Sequence, residues 1–218
     1  MSKKITLAAL MAVVAVVLAV PAMASALVAL HVNPKPAATT AITGGATSLS
    51  DLNGNTVKCS SVTSTGTGAT WTSTTGGTLT LTFSGCTDGS GFFKCGNEAT
   101  EKIVTTALSF QLVTLSDEKP GVLIRPASGE HFATFECAGF LNFAVNGNGI
   151  LGEIENACGA KVTKTSIKYE ISKHGEQAYK LLKNTTTQYD LKANGVTAAE
   201  KGTGEINFNG TSTELVCT

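Results

Sequence analysis

Hydrophobic and polar positions alternate with a period of two along most of the chain. In Thr78–Phe83 ("TLTLTF") Leu79, Leu81 and Phe83 share one face, and Thr78, Thr80 and Thr82 share the other. Successive side chains of an extended strand point to opposite sides, so this pattern predicts a half-buried strand. Ser166–Ser172 ("SIKYEIS") repeats it, with Ile167, Tyr169 and Ile171 inward and Lys168 and Glu170 outward. Leu108–Leu112, Leu141–Val145, Tyr189–Ala193 and Glu205–Asn209 follow the same rule. Val122–Pro126 ("VLIRP") is apolar on both faces until Arg125, which predicts a more central strand.

Turn-forming pairs separate these runs: Asn53-Gly54, Asp88-Gly89, Asn146-Gly147, Asn194-Gly195 and Asn209-Gly210. Such pairs reach positive φ cheaply and favour tight hairpins. After residue 24 no run of ten or more positions carries a helical period, and Gly, Ser and Thr are dense. The chain therefore reads as all-β, an antiparallel sandwich or barrel of short strands.

The N-terminus breaks the pattern. Lys3 and Lys4 precede an apolar run to about Val20, then Pro21 and the small-residue sites Ala22-Met23-Ala24 and Ala24-Ser25-Ala26. That order predicts a helical signal peptide over 1–24, cleaved on export. The alternative is an uncleaved anchor, because the apolar stretch counted on to Leu30 nearly reaches spanning length. Residues 25–50, small, polar and Pro-containing, read as an extended arm or linker, or as an edge strand at Ala38–Ile42. A single β domain is expected over 51–218. Loss of the signal leaves 14 basic and 16 acidic side chains, a formal charge of −2. So neutral a chain has no electrostatic pull toward nucleic acid or an anionic membrane. No membrane span is expected once the signal is gone.

Six cysteines, Cys59, Cys86, Cys95, Cys137, Cys158 and Cys217, all follow the signal segment. An even count on an exported chain predicts disulfides. No C-x-x-C occurs, and the three histidines are scattered, so neither redox chemistry nor a metal or other cofactor is expected. The Gly-rich stretch between Cys86 and Cys95 predicts a hairpin closed by a Cys86–Cys95 bridge. Cys59–Cys137 and Cys158–Cys217 are then the favoured remaining pairs.

Five segments taken in order carry a resemblance: Val57–Val62 ("VKCSSV"), Leu81–Cys86 ("LTFSGC"), Ile103–Leu112, Gly121–Cys137 and Gly149–Ile154. Together they resemble a group of uncharacterised secreted proteins of actinobacteria. That group shares a Lys-Cys start, a Phe-x-Gly-Cys hairpin with a nearby second cysteine, and a Phe-x-Cys strand. The resemblance spans about Val57 to Gln177. It implies export and a framework of Cys59, Cys86, Cys95 and Cys137, with Cys158 and Cys217 as an added pair. It implies no activity and lends no catalytic residue.

Candidate chemistry is sparse. Gly147–Gly152 fits G-x-G-x-x-G, but no helical face follows, so it reads as a glycine-rich hairpin rather than a dinucleotide site. His131, beside Glu130, has an apolar setting suited to a general base or to a plain strand edge. Glu153 and Glu155 share a face if extended, an arrangement that suits a solvated edge better than a glycosidase pair. Asp51–Asn55 ("DLNGN") has calcium-type oxygens with the glycine out of place, and reads as a turn. Trp71, the single tryptophan, is either a strand residue or a sugar-stacking platform, with Tyr179 or Tyr189 in support. Phe92 and Phe93 are either core residues or an exposed binding pair. The expectation is a secreted or cell-surface module with no catalytic activity, acting in interaction or structure. The alternatives are a module that binds cell-wall glycan through exposed aromatics, and a secreted hydrolase. The partner is a glycan or another surface protein.

Overall fold

The computed structural model describes residues 30–36, 39–65, 68–97, 100–156, 158–182 and 189–217. The signal peptide lies outside the described residues. A short first strand, β1 (His31–Asn33), precedes an eight-stranded antiparallel barrel whose staves follow chain order. The first stave is β2 (Thr39–Asp51). The second is broken into β3 (Thr56–Cys59), β4 (Ser61–Ser64) and β5 (Ala69–Trp71). The third comprises β6 (Gly76–Leu79), β7 (Leu81–Ser84) and β8 (Thr87–Asp88). The fourth comprises β9 (Cys95–Gly96), β10 (Lys102–Val104) and β11 (Leu108–Thr114). β12 (Pro120–Pro126) and β13 (His131–Cys137) make the fifth, β14 (Leu141–Gly147) and β15 (Ile150–Ile154) the sixth.

A two-residue strand, β16 (Lys161–Val162), lies outside the wall. The seventh stave is β17 (Lys164–Tyr169) and β18 (Leu191–Ala193); between them the described residues 170–182 make an excursion. The eighth is β19 (Val196–Asn207). Each stave pairs with the next, and β19 returns to β2 along most of its length, Ala198 opposite Asp51 and Asn207 opposite Ala41. A sheet closed on itself has no free edges to manage.

Residues 39–50, read from the sequence as part of an arm or as an edge strand at Ala38–Ile42, belong to the first stave of the wall. Thr39–Asp51 is the longest strand and sits between the second and eighth staves. Its Thr, Ser and Gly content hides the alternation that larger apolar residues would show. Small residues are needed there: a Cβ on Gly44 would lie 2.5 Å from Val62 Cγ1 and 2.6 Å from the Thr203 carbonyl.

Inside the barrel, Ile124, Phe135, Val145, Ile167 and Leu108 belong to one buried cluster supplied by the staves in turn. Each such buried side chain contributes roughly 1.5–3 kcal/mol through apolar burial. Val122–Pro126 is apolar on both faces for a specific reason. Val122 and Ile124 join the interior, whereas Leu123 joins Val113, Leu115, Leu151 and Leu181 in a second cluster. The excursion brings Leu181 to Leu115 in an isolated bridge and so roofs the outside of the wall.

A small sheet closes one end. β1 and β16 flank β20 (Thr213–Val216), and Val32 donates its backbone N–H to the Thr74 carbonyl at 2.9 Å. Cys158–Cys217 fastens this lid, in line with the pairing read from the sequence.

The other two bridges correct that reading. They are Cys59–Cys86 and Cys95–Cys137, not Cys86–Cys95 and Cys59–Cys137. The register explains why. Lys58 opposes Thr87, Thr87 opposes Lys94, and Cys137 opposes Cys95. The four cysteines therefore form one row across the second to fifth staves. A Cys86–Cys95 bond would leave Cys59 and Cys137 three strand spacings apart, about 14 Å at 4.7–4.9 Å each. A disulfide needs Cα atoms within about 7 Å. Only pairing from the outside of the row inward satisfies all four.

Gly147–Gly152 is not a hairpin either. β14 pairs with β13 and β18, and β15 with β12 and β17, so the glycines bend one stave between its halves. Of the Asn-Gly pairs, Asn194-Gly195 makes the expected two-residue hairpin, both residues at positive φ (50° and 81°), with Ala193 opposite Val196.

Candidate functional site

Trp71 is not a surface platform. It is 2 % exposed and plugs the lidded end of the barrel. Its Nε1–H donates to Thr40 Oγ1 at 3.1 Å. Phe110 meets it edge-on at a centroid distance of 4.8 Å, and Phe208 lies 6.2 Å away. Gly77 gives the plug its room, since a Cβ there would lie 2.0 Å from the Thr70 carbonyl and 2.9 Å from Phe110 Cε1. A sugar has no face of this indole to stack on. Tyr179 and Tyr189 are half-buried against the outer cluster and do not join Trp71. Burial, with the Glu170 and Glu153 carboxylates nearby, pushes the Tyr179 phenol up.

The hydrolase candidates do not assemble. Both ring nitrogens of His131 face neutral partners, Nδ1 at 3.0 Å from Asn146 Oδ1 and Nε2 at 3.1 Å from Thr134 Oγ1. Glu153 is ion-paired with Lys119 at 2.7 Å on the outer wall. That pairing raises the Lys119 ammonium, first through the hydrogen bond to Glu153 and then through Asp117. Glu155 is exposed beyond the end of β15. Asp51 spends its carboxylate on its own turn, accepting from the N–H groups of Asn53 and Asn55 at 2.9 and 2.8 Å. Among the described residues no three His, Cys, Asp or Glu gather as a metal site.

Two features remain. The first is the barrel end opposite the lid, where the loops of residues 51–56, 88–95 and 137–141 emerge. Phe92 is 86 % exposed and Phe140 68 %. Phe93 and Leu141, next in sequence to each, are also exposed. The Cys95–Cys137 bridge joins these loops, and the Ala138 N–H donates to the Lys94 carbonyl at 2.9 Å. Both apolar pairs, Phe92–Phe93 and Phe140–Leu141, thus lie within four residues of one covalent link. The 88–95 loop is internally ordered. Asp88 accepts from Ser90 Oγ and from the Phe93 N–H at 3.0 Å, and these bonds lower its carboxyl below the ordinary value. A groove runs between Thr56, Asp88, Ser90 and Leu141 beside the aromatic tips. The sequence singled out Phe92 and Phe93. It gave no signal for Phe140 and Leu141, which reach the same end only through the Cys95–Cys137 pairing.

The second feature is the lumen. A cavity of about 80 Å³ lies within the wall, lined from every stave. Its lining is apolar except for Thr47, Thr105 and Glu200. Glu200 sits opposite Leu49, in register with the inward face of β2, where the sequence showed only an acid within "AAEKG". Comparison with protein families, with curated proteins and with solved structures finds no match.

Proposed function

We propose that the protein is an exported, non-catalytic barrel that docks an apolar patch of another extracellular protein on its disulfide-tied loop end. One observation carries this reading: Phe92 and Phe140 project into water from adjacent loops held by Cys95–Cys137. Loops already tied by a disulfide have less backbone ordering to lose when a partner covers their side chains. Each fully covered aromatic stabilises a complex by roughly 1.5–3 kcal/mol, and clustered apolar exposure marks interaction sites.

A protein partner fits better than a glycan. Phe carries no polar handle, and Asp88 and Ser90, the polar groups nearest Phe92, already bond within their own loop. A glycan is the second reading, favoured only by the groove beside the tips. Three disulfides are compatible with an extracellular setting. The outer faces of β17 and β19 carry Lys164, Lys168, Lys201 and Glu205, the reverse of a lipid-facing barrel surface.

A photo-crosslinking residue at Phe92, displayed on producing cells, is expected to capture one defined protein. Phe140→Ser is expected to lower that capture at least tenfold while changing stability by no more than about 0.5 kcal/mol. Retention on a polysaccharide array that is lost with Phe92→Ser would replace this reading with the glycan one. Undiminished capture in Phe140→Ser would refute it.

A further inference from the structure

The lumen holds a charge that the barrel does not use. Glu200 is the one ionisable side chain in the cavity lining, and among the described residues its carboxyl has neither a hydrogen-bond nor an ion-pair partner. Thr105, one of the two hydroxyls in the wall, accepts the Leu81 N–H at 3.0 Å. Structural burial does not require an acid here. Glu200 lies between Ala198 and Gly202 on the inward face of β19, and leucine or valine would fill the same space. An acid without a partner in an apolar chamber weakens the fold unless something pairs with it.

We infer that the lumen is a binding site for a compact alkyl ammonium ion, its charge on the Glu200 carboxylate and its alkyl group against the apolar wall. The size sets the class. A void of about 150 Å³ admits benzene, so a cavity of about 80 Å³ takes a ligand of roughly three heavy atoms. Sign and polarity follow from the lining, which offers one anion and no cation. Fatty acids and retinoid-sized molecules are excluded by volume, and anions by Glu200.

The electrostatics agree. Burial pushes the Glu200 carboxyl up to about 7 from its ordinary 4.5. Tyr169 is raised first by burial and then by the Glu200 charge. No other charged group contributes to Glu200, so a bound cation would favour its ionised form and lower it back toward the ordinary value. The folded protein holds this proton to higher pH than the unfolded chain does. Stability is therefore full below about pH 4.5 and falls as pH rises toward and past 7. A bound ammonium reverses that loss.

The probe is ethylammonium, titrated into the oxidised protein at pH 8 with ethanol and acetate as controls. The expected result is a saturable rise in Tm with the amine, at least tenfold weaker binding of the alcohol, and none of the carboxylate. Glu200→Gln is expected to equalise amine and alcohol. Should that variant fail to fold, the ¹³C resonance of the native Glu200 carboxyl decides, its titration midpoint falling when the amine is present. A midpoint that the amine leaves unmoved, or equal binding of amine and alcohol by the native protein, overturns the proposal.

Discussion

Reduction of the three disulfides unfolds the barrel under conditions where the oxidised protein is fully native. The bridges close 27, 42 and 59 residues. In the chain-entropy description each loop restricts the unfolded chain by roughly 3.5–4 kcal/mol. The loops are consecutive and do not overlap, so their effects add to on the order of 11 kcal/mol. Total stabilities of domains lie at about 5–15 kcal/mol, so little margin remains without them. Thermal unfolding followed by near-UV circular dichroism, with and without a reductant, checks this. A reduced protein that keeps its native signal and loses only a few degrees would show that the wall holds itself without the sulfur row. The bridges also differ in place. Replacing Cys158 and Cys217 by serine frees the lid, while the Cys59–Cys86 and Cys95–Cys137 crosslinks still tie the second stave to the third and the fourth to the fifth.

Trp71→Ala is expected to cost about 3–5 kcal/mol, the range for deleting a buried large aromatic. Three losses combine. The indole leaves a hole between Phe110 and Phe208, the edge-to-face contact at 4.8 Å disappears, and the Thr40 hydroxyl loses its donor inside the core. At about 2–4 °C per kcal/mol for a domain of this size, Tm falls by roughly 6–20 °C. Trp71→Phe keeps part of the ring contact but not the hydrogen bond, and lies between the two. Because Trp71 is the single tryptophan, its fluorescence reports the same site. The native emission is expected to be blue-shifted, poorly quenched by acrylamide and unmoved by polysaccharides, because the indole is buried. Native quenching as efficient as in the unfolded chain, with an alanine variant as stable as the parent, would contradict the plug.

The local rules were readable in the chain and the closure was not. The alternation in Thr78–Phe83 placed Leu79 and Leu81 inward, as the structure does, although the strand breaks at Thr80. Asn194-Gly195 announced its hairpin because two successive residues at positive φ are what that turn demands. Thr39–Asp51 was legible only as a short edge strand at Ala38–Ile42, since its inward positions include Thr40 and Thr47, which periodicity counts as polar. Trp71 left two readings open, a strand residue or a platform, because of its neighbours. Thr70, Thr72 and Gly77 are polar or small in sequence, yet Gly77 is small so that Phe110 can reach the indole. The disulfide pairing failed for a non-local reason. Cys86 and Cys95 do face each other, and the Cys95 N–H donates to the Cys86 carbonyl at 2.9 Å, but each has a second neighbour on its other side. Phe140 and Glu200 depend on that same closure, which brings one to the rim beside Phe92 and turns the other into the lumen.

Tryptic mapping of the non-reduced protein tests the sulfur row most directly. Cleavage after Lys58, Lys94, Lys102 and Lys161 releases residues 59–94, 95–102 and 103–161 as separate peptides, since Lys119 and Arg125 each precede proline. The predicted result is a free 59–94 peptide two hydrogens lighter than its thiol form, with 95–102 and 202–218 both joined to 103–161 through Cys137 and Cys158. A 59–94 peptide joined to 95–102 would mean that Cys59 or Cys86 bonds Cys95, and the pairing along the four-cysteine row, with the loop end built on it, would be wrong.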